Sequence, residues 1–261
     1  MFQSKVIILS SAILVLCSAA AIFEKFNKKC DFTDDECLKS LYFGIIEEAT
    51  DNGIPELGVP KLDPYVLKNE RVSVLGMINI TVIDGTVNGF KKCALNKFHN
   101  DIESLHVQAS LTCENFIVEG KYKIEVTPVL KALIGTLDIH GEGQGKVGID
   151  KVKLDVDVAY EVIKNDNGDI RFKLKPEDNT YTFEFLEKVT FAADNVFIGS
   201  QDISTVTTNI LNENWEFIAK NLGKPVIDLA MTVFTSNGQK VLDVLPIKDL
   251  YNTDLSPYIK S

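Results

Sequence analysis

The chain has 261 residues, 45% of them hydrophobic, and a formal net charge of −10 at pH 7. That apolar content is ordinary for a globular protein and enough for a substantial core. The acidic balance, with no basic run or low-complexity tract, opposes nucleic acid and anionic membrane surfaces, both of which need clustered Lys and Arg.

The N-terminus reads MFQSKVIILSSAILVLCSAAA, with Lys5 ahead of an uncharged run from Val6 to Ala21. That run is short of the roughly 20 apolar residues a bilayer span needs. Small residues from Ser18 to Ala21 offer a cleavage site, so residues 1–21 are expected to be a signal peptide that is removed. Cys17 would leave with it. Cys30, Cys37, Cys93 and Cys113 remain, and an even set in an exported chain points to disulfides. A metal would want C-x2-C spacing or paired histidines. Here the closer pair is C-x6-C, and His99, His106 and His140 make no paired ligand spacing, so no metal is expected. Of three connectivities, Cys30–Cys37 with Cys93–Cys113 is favoured. Closing those loops stabilises by about 2.5 and about 3.3 kcal/mol in the chain-entropy model.

Residues 22–261 read as one domain. Thr33-Asp34-Asp35-Glu36 has the form of a capping box. Leu38, Leu41, Tyr42, Ile45 and Ala49 then recur at helical spacing, and Asn52-Gly53 supplies a stop, which predicts a helix over 34–51. Ile54-Pro55 and Asp63-Pro64 break the chain into an extended connection. From Arg71 to about Phe191 the period becomes two. Leu105, Val107, Ala109, Leu111 and Cys113 share a face, as do Phe116, Val118, Tyr122, Ile124 and Val126. In the next strand Val152, Leu154, Val156, Val158, Tyr160 and Val162 point inward, with Lys153, Asp155, Asp157 and Glu161 outward. Phe183 and Phe185 belong to a further strand. One greasy and one wet face, strand after strand, describes an antiparallel sheet covered on one side. Asn79-Ile80-Thr81 is the N-x-[ST] sequon, and its outward parity makes Asn79 a candidate glycosylation site.

The cover comes from residues 202–235, where Ile203, Val206, Ile210, Trp215, Ile218, Leu222 and Ile227 approximate an apolar stripe. Gly223 and Pro225 should kink this helix, since proline lacks the N–H that the helix needs. Trp215 has two readings, core packing or the lining of a ligand cavity.

Motifs of catalysis do not hold up. Gly143-x-Gly145-x-x-Gly148 matches the dinucleotide fingerprint, but that motif must open a helix, and here a strand follows. Its glycines are expected to let strands bend or pack closely. None of the three histidines lies in a nucleophile-elbow or HExxH context, so no catalytic residues and no cofactor are expected.

Several stretches together resemble the insect juvenile hormone binding protein/takeout family. They are "CDFTDDECL", "GIPELGVPKLDP" (Gly53–Pro64), "VEGKYKI" (Val118–Ile124), "GEGQGKVGID" and "NILNENWEFIAKNL" (Asn209–Leu222). The resemblance covers nearly all of the chain after residue 21. It implies an α+β fold in which a strongly curved antiparallel β-sheet wraps a long C-terminal helix and encloses a hydrophobic cavity. It also implies a secreted, non-enzymatic carrier of a small lipophilic ligand in an extracellular fluid such as haemolymph, with no stable membrane insertion. Under that reading the ligand-lining residues are the inward-facing Phe116, Val118, Tyr122, Val156, Val158, Tyr160, Phe183 and Phe185, with Trp215, Ile218 and Leu222 from the helix. The hormone binders carry a later disulfide, whereas no cysteine follows Cys113 here. The takeout-like branch is accordingly the better match. A collapsed interior behind the same pattern would instead make a secreted structural or interaction protein.

Overall fold

The computed structural model describes residues 29–135, 138–245 and 247–259. The expected signal peptide lies outside the described residues. Helix α1 spans Asp35–Asp51 and buries Leu38, Leu41, Ile45 and Ala49, the residues spaced for one face. Its cap is Asp34, not Thr33: the Asp34 carboxylate accepts from the backbone N–H of Cys37 at 3.0 Å. Asp34 N–H itself donates to the Asp31 carbonyl, closing a turn that holds Thr33 one position too early to cap. Cys30 pairs with Cys37, and Cys93 with Cys113. The first bridge ties the start of α1 to the segment before it. The second links facing residues of adjacent strands.

Ten strands follow among the described residues: β1 (Tyr65–Val74), β2 (Ile78–Asn88), β3 (Cys93–Asp101), β4 (His106–Val126), β5 (Ile139–Lys164), β6 (Ile170–Leu174), β7 (Thr180–Phe185), β8 (Val189–Ala193), β9 (Val196–Ile198) and β10 (Gln201–Asp202). The pairings among these ten strands are antiparallel. The spine is the long β4–β5 pair, in register from His106–Ala159 to Glu125–His140. β2 and β3 line up in turn along the far edge of β4, while β9, β8, β7 and β6 do so along the far edge of β5. The short helix α2 (Pro128–Ile134) leads from β4 to β5.

The glycines of the false nucleotide motif sit inside β5, and their use is steric. Gly85, Gly120 and Gly145 stand opposite one another across β2, β4 and β5. A methyl on Gly120 would overlap the Asp84 carbonyl and the Gly85 Cα, and one on Gly145 would press the Tyr122 ring at 3.0 Å. This row without side chains lets the three strands approach closely and the sheet bend, and the Tyr122 ring covers part of the bare backbone.

The C-terminal helix arrives as three pieces, α3 (Ser204–Glu213), α4 (Trp215–Leu222) and α5 (Lys224–Leu242). The expected break at Gly223 is present. Pro225 falls in the first turn of α5, where a missing N–H is harmless. A second break at Asn214 has no glycine or proline to announce it. Its side-chain amide donates to the Ile210 carbonyl, the local competition that makes Asn a poor helix interior residue.

Exposed strand edges invite unwanted pairing and have to be covered. The helices meet β6 and β8 with amide side chains. Asn212 of α3 accepts from Phe191 N–H and donates to Phe191 C=O, both at 2.8 Å, replacing a neighbouring strand on β8. Gln239 of α5 does the same for β6, accepting from Leu174 N–H at 2.7 Å and donating to Phe172 C=O at 3.2 Å. Beyond α5, α6 (Ile247–Leu250) brings residues 250–252 back against Cys30. Cys30 N–H donates to Leu250 C=O, and Asn252 N–H donates to Cys30 C=O. The larger core lies at this end, with Phe32, Leu38, Val162, Leu245, Leu250 and Leu255 almost fully buried.

Candidate functional site

Between the sheet and the α1–α5 pair the apolar faces do not meet. A cavity of about 260 Å³ separates them. Its roof is Leu154, Val156, Val158 and Tyr160 from β5 with Val107, Ala109 and Leu111 from β4. These are alternate residues of paired strands, so one parity supplies the whole surface. Leu95, Phe98 and Asn100 of β3 continue it. The spacing from Leu95 to Phe98 breaks the two-residue period because a bulge between Leu95 and Lys97 returns Phe98 to the inner face. Phe172 and Leu174 of β6 close one side, and Tyr42 and Ile46 of α1 with Met231, Phe234, Thr235 and Leu242 of α5 form the floor.

A second cavity of about 210 Å³ adjoins the first and shares Tyr42, Ile46, Phe234 and Leu242 with it. Four movable side chains are thus the partition between the two. Its other walls include Ile45, Val59, Leu62, Phe90, Val233 and Val241.

The first cavity has one polar corner. Asn100 Nδ2 donates to the Phe32 carbonyl at 3.1 Å, and Tyr160 Oη donates to Asn100 Oδ1 at 2.9 Å. Asn100 N–H donates to the Asp35 carboxylate, which also meets His99 Nδ1 at 2.7 Å, so the corner is tied to the first turn of α1. Burial pushes the Tyr160 phenol well above its usual pKa, and it raises Tyr42 and Tyr251 likewise. The surroundings penalise an anion.

Of the residues expected to line a ligand site, the structure places Val156, Val158 and Tyr160 on this wall. Phe116, Phe185 and Trp215 meet elsewhere, packed around Ile149, Val152, Val189 and Ala219 between β5, β8 and α4. Ile218 and Leu222 belong to the same helix α4. Phe183 stands edge-on to Phe185, with ring centres 5.6 Å apart. Val118 lies between Val87 and Val147 in the sheet. Tyr122 is buried against the glycine row and donates from its hydroxyl to the Asp194 carbonyl at 2.6 Å. Asn79 is the second residue of β2, half-buried, between Ser73 and Glu125.

Wall residues from α1, β3 and β6 escaped the sequence reading. Val107, Ala109 and Leu111 carried the right signal, the same alternation that identified Val156. Phe98 and Asn100 did not, because the bulge hides their parity. The histidines are dispersed: His106 meets Asp157 on the outer face, and His140 stacks on Phe197. No group of three metal-ligating side chains occurs among the described residues.

The family model for "Haemolymph juvenile hormone binding protein (JHBP)" matches residues 8–252. Among solved structures, Takeout 1 of Epiphyas postvittana superposes with a TM-score of 0.70 at 24% identity, covering 86% of this chain and 99% of that one. At that identity the likeness speaks for the fold. A lipopolysaccharide binding protein aligns over 81% of this chain and 40% of its own at 12% identity, but its TM-score of 0.30 carries no weight. No curated protein sequence matches. With a family model spanning most of its length and a takeout-type fold enclosing an apolar cavity, this chain belongs to the haemolymph juvenile hormone binding protein family.

Proposed function

We propose that the protein is an extracellular carrier that holds one small lipophilic ligand in the cavity beneath α1. Export would follow removal of residues 1–21, and Asn79 would be open to glycosylation. The observation that carries this reading is an apolar void of about 260 Å³ in the largest core region of the molecule. Left empty, an apolar space costs stability, because its lining loses packing contacts. Water is a poor filler, because it needs two to four polar partners and the polar lining is confined to Tyr42, Asn100, Tyr160 and Thr235. An apolar ligand relieves the cost by covering the walls at about 25 cal/mol per Å² of its own buried surface. Both disulfides suit an oxidising extracellular setting.

Native mass spectrometry and organic extraction of the protein from its natural source test the proposal. A bound small lipid in molar proportion is expected. Protein that arrives empty and also ignores fluorescent fatty-acid and terpenoid probes would refute it.

A further inference from the structure

The polar corner of the first cavity has a definite hydrogen-bonding sense. The Phe32 carbonyl can only accept, so the Asn100 atom facing it must be the amide nitrogen. That fixes Oδ1 toward Tyr160 and obliges the Tyr160 hydroxyl to spend its proton on Asn100. Thr235 spends its own on the Met231 carbonyl one helical turn back. At this corner what remains for a guest is the lone pairs of Tyr160 Oη and the second amide hydrogen of Asn100, while Tyr42 Oη, elsewhere on the wall, accepts from Tyr251 at 2.9 Å. A hydroxyl group can both donate to those Tyr160 lone pairs and accept from the amide hydrogen, whereas an ester, epoxide or ketone can use only the amide hydrogen at this corner.

Charge points the same way. Among the described residues lining either cavity, none is ionised. Charged groups beside the corner include Asp35, which binds Asn100 N–H, and Asp101, the next residue along, with His99 held against Asp35. Two carboxylates and an exposed imidazole offer a buried anion no partner. The upward displacement of the Tyr160, Tyr42 and Tyr251 phenols reflects the same penalty on negative charge.

Resting on the carrier reading, we infer that the cavity selects neutral lipids bearing a terminal hydroxyl over free carboxylates, and that Asn100 imposes this by fixing the direction of the Tyr160 hydroxyl. The ligand's head would sit at Asn100 and Tyr160, and its chain would run along Val156 and Leu111 toward the second cavity.

The test is competition against a fluorescent apolar probe on the delipidated secreted protein with both disulfides formed. Dodecan-1-ol, methyl dodecanoate and dodecanoate are compared at pH 8 and at pH 4.5. The alcohol is expected to bind roughly ten-fold tighter than the ester, the worth of one hydrogen bond. At pH 8 dodecanoate should fall about a hundred-fold or more below the alcohol and recover at pH 4.5, where its charge is reduced. Tyr160→Phe should abolish the alcohol's advantage over the ester. Dodecanoate binding as tightly as the alcohol at pH 8 overturns the selection against charge. An alcohol no better than the ester, or one that keeps its advantage in Tyr160→Phe, overturns the assigned head-group site. Either result leaves the carrier standing. Failure of the probe and all three ligands to bind refutes the carrier and this inference together. If Tyr160→Phe does not fold, the comparison on the unaltered protein still decides.

Discussion

Filling the cavity from its roof separates a hollow from a packed interior. Val156 faces the void from the middle of β5, paired with Ala109 on one side and Tyr181 on the other. Val156→Phe adds side-chain volume on the order of 50 Å³, and cancelling that much void returns about 1 kcal/mol at ~24 cal/mol per Å³. The void of about 260 Å³ admits the ring without moving the backbone, and the small Ala109 leaves room beside it. The expected result is a denaturant midpoint unchanged or raised by up to about 1 kcal/mol, together with loss of most ligand capacity. In a packed core the same change would instead cost about 1–3 kcal/mol through overpacking. Urea unfolding of delipidated protein, read by circular dichroism, measures the first quantity, and probe titration the second. A variant destabilised by more than about 1 kcal/mol that still binds a full equivalent of ligand would refute the cavity as the binding site.

Trp215→Ala should lower stability by about 2 kcal/mol, less than a fully buried tryptophan because this ring is half-exposed, and leave ligand affinity within two-fold; a selective loss of affinity would place Trp215 in the site. Gly120→Ala should destabilise by about 1–3 kcal/mol in thermal melts, since its methyl would meet the Asp84 carbonyl and Gly85 backbone, and an unchanged Tm would show that the sheet has slack there. His99 has its pKa raised by the hydrogen bond and charge of Asp35, with Asp101 adding to the effect. Because the folded value lies above the unfolded one, this contribution is complete below the ordinary imidazole pKa near 6.5 and fades as pH rises through the raised value. The wild-type unfolding midpoint should therefore decline gently from pH 5.5 to 8 relative to His99→Gln, as measured in parallel urea titrations, and identical slopes would rule out the pair as a stabilising contact.

The sequence by itself determined the elements whose information is local. Alternation in 152–162 and 105–113 put Val156, Val158 and Val107 on one face, because a strand has a period of two whatever it packs against. Cysteine count and spacing were enough to favour Cys30–Cys37 and Cys93–Cys113, the two bridges found. Gly223 marked a helix break for the same local reason. Alternation could not tell a solid core from a hollow one, since apolar faces read alike whether they touch a neighbour or a void. The tertiary structure decided that, through two distant arrangements. Phe116, Phe185 and Trp215 pack together around Ile149 and Ala219, while α1 and α5 hold Tyr42 and Phe234 away from the β4–β5 roof and leave a gap. The polar corner is likewise tertiary. Asn100 and Tyr160 lie 60 residues apart in the chain. They meet only because a bulge in β3 turns Asn100 inward and the β4–β5 register brings it beside Tyr160.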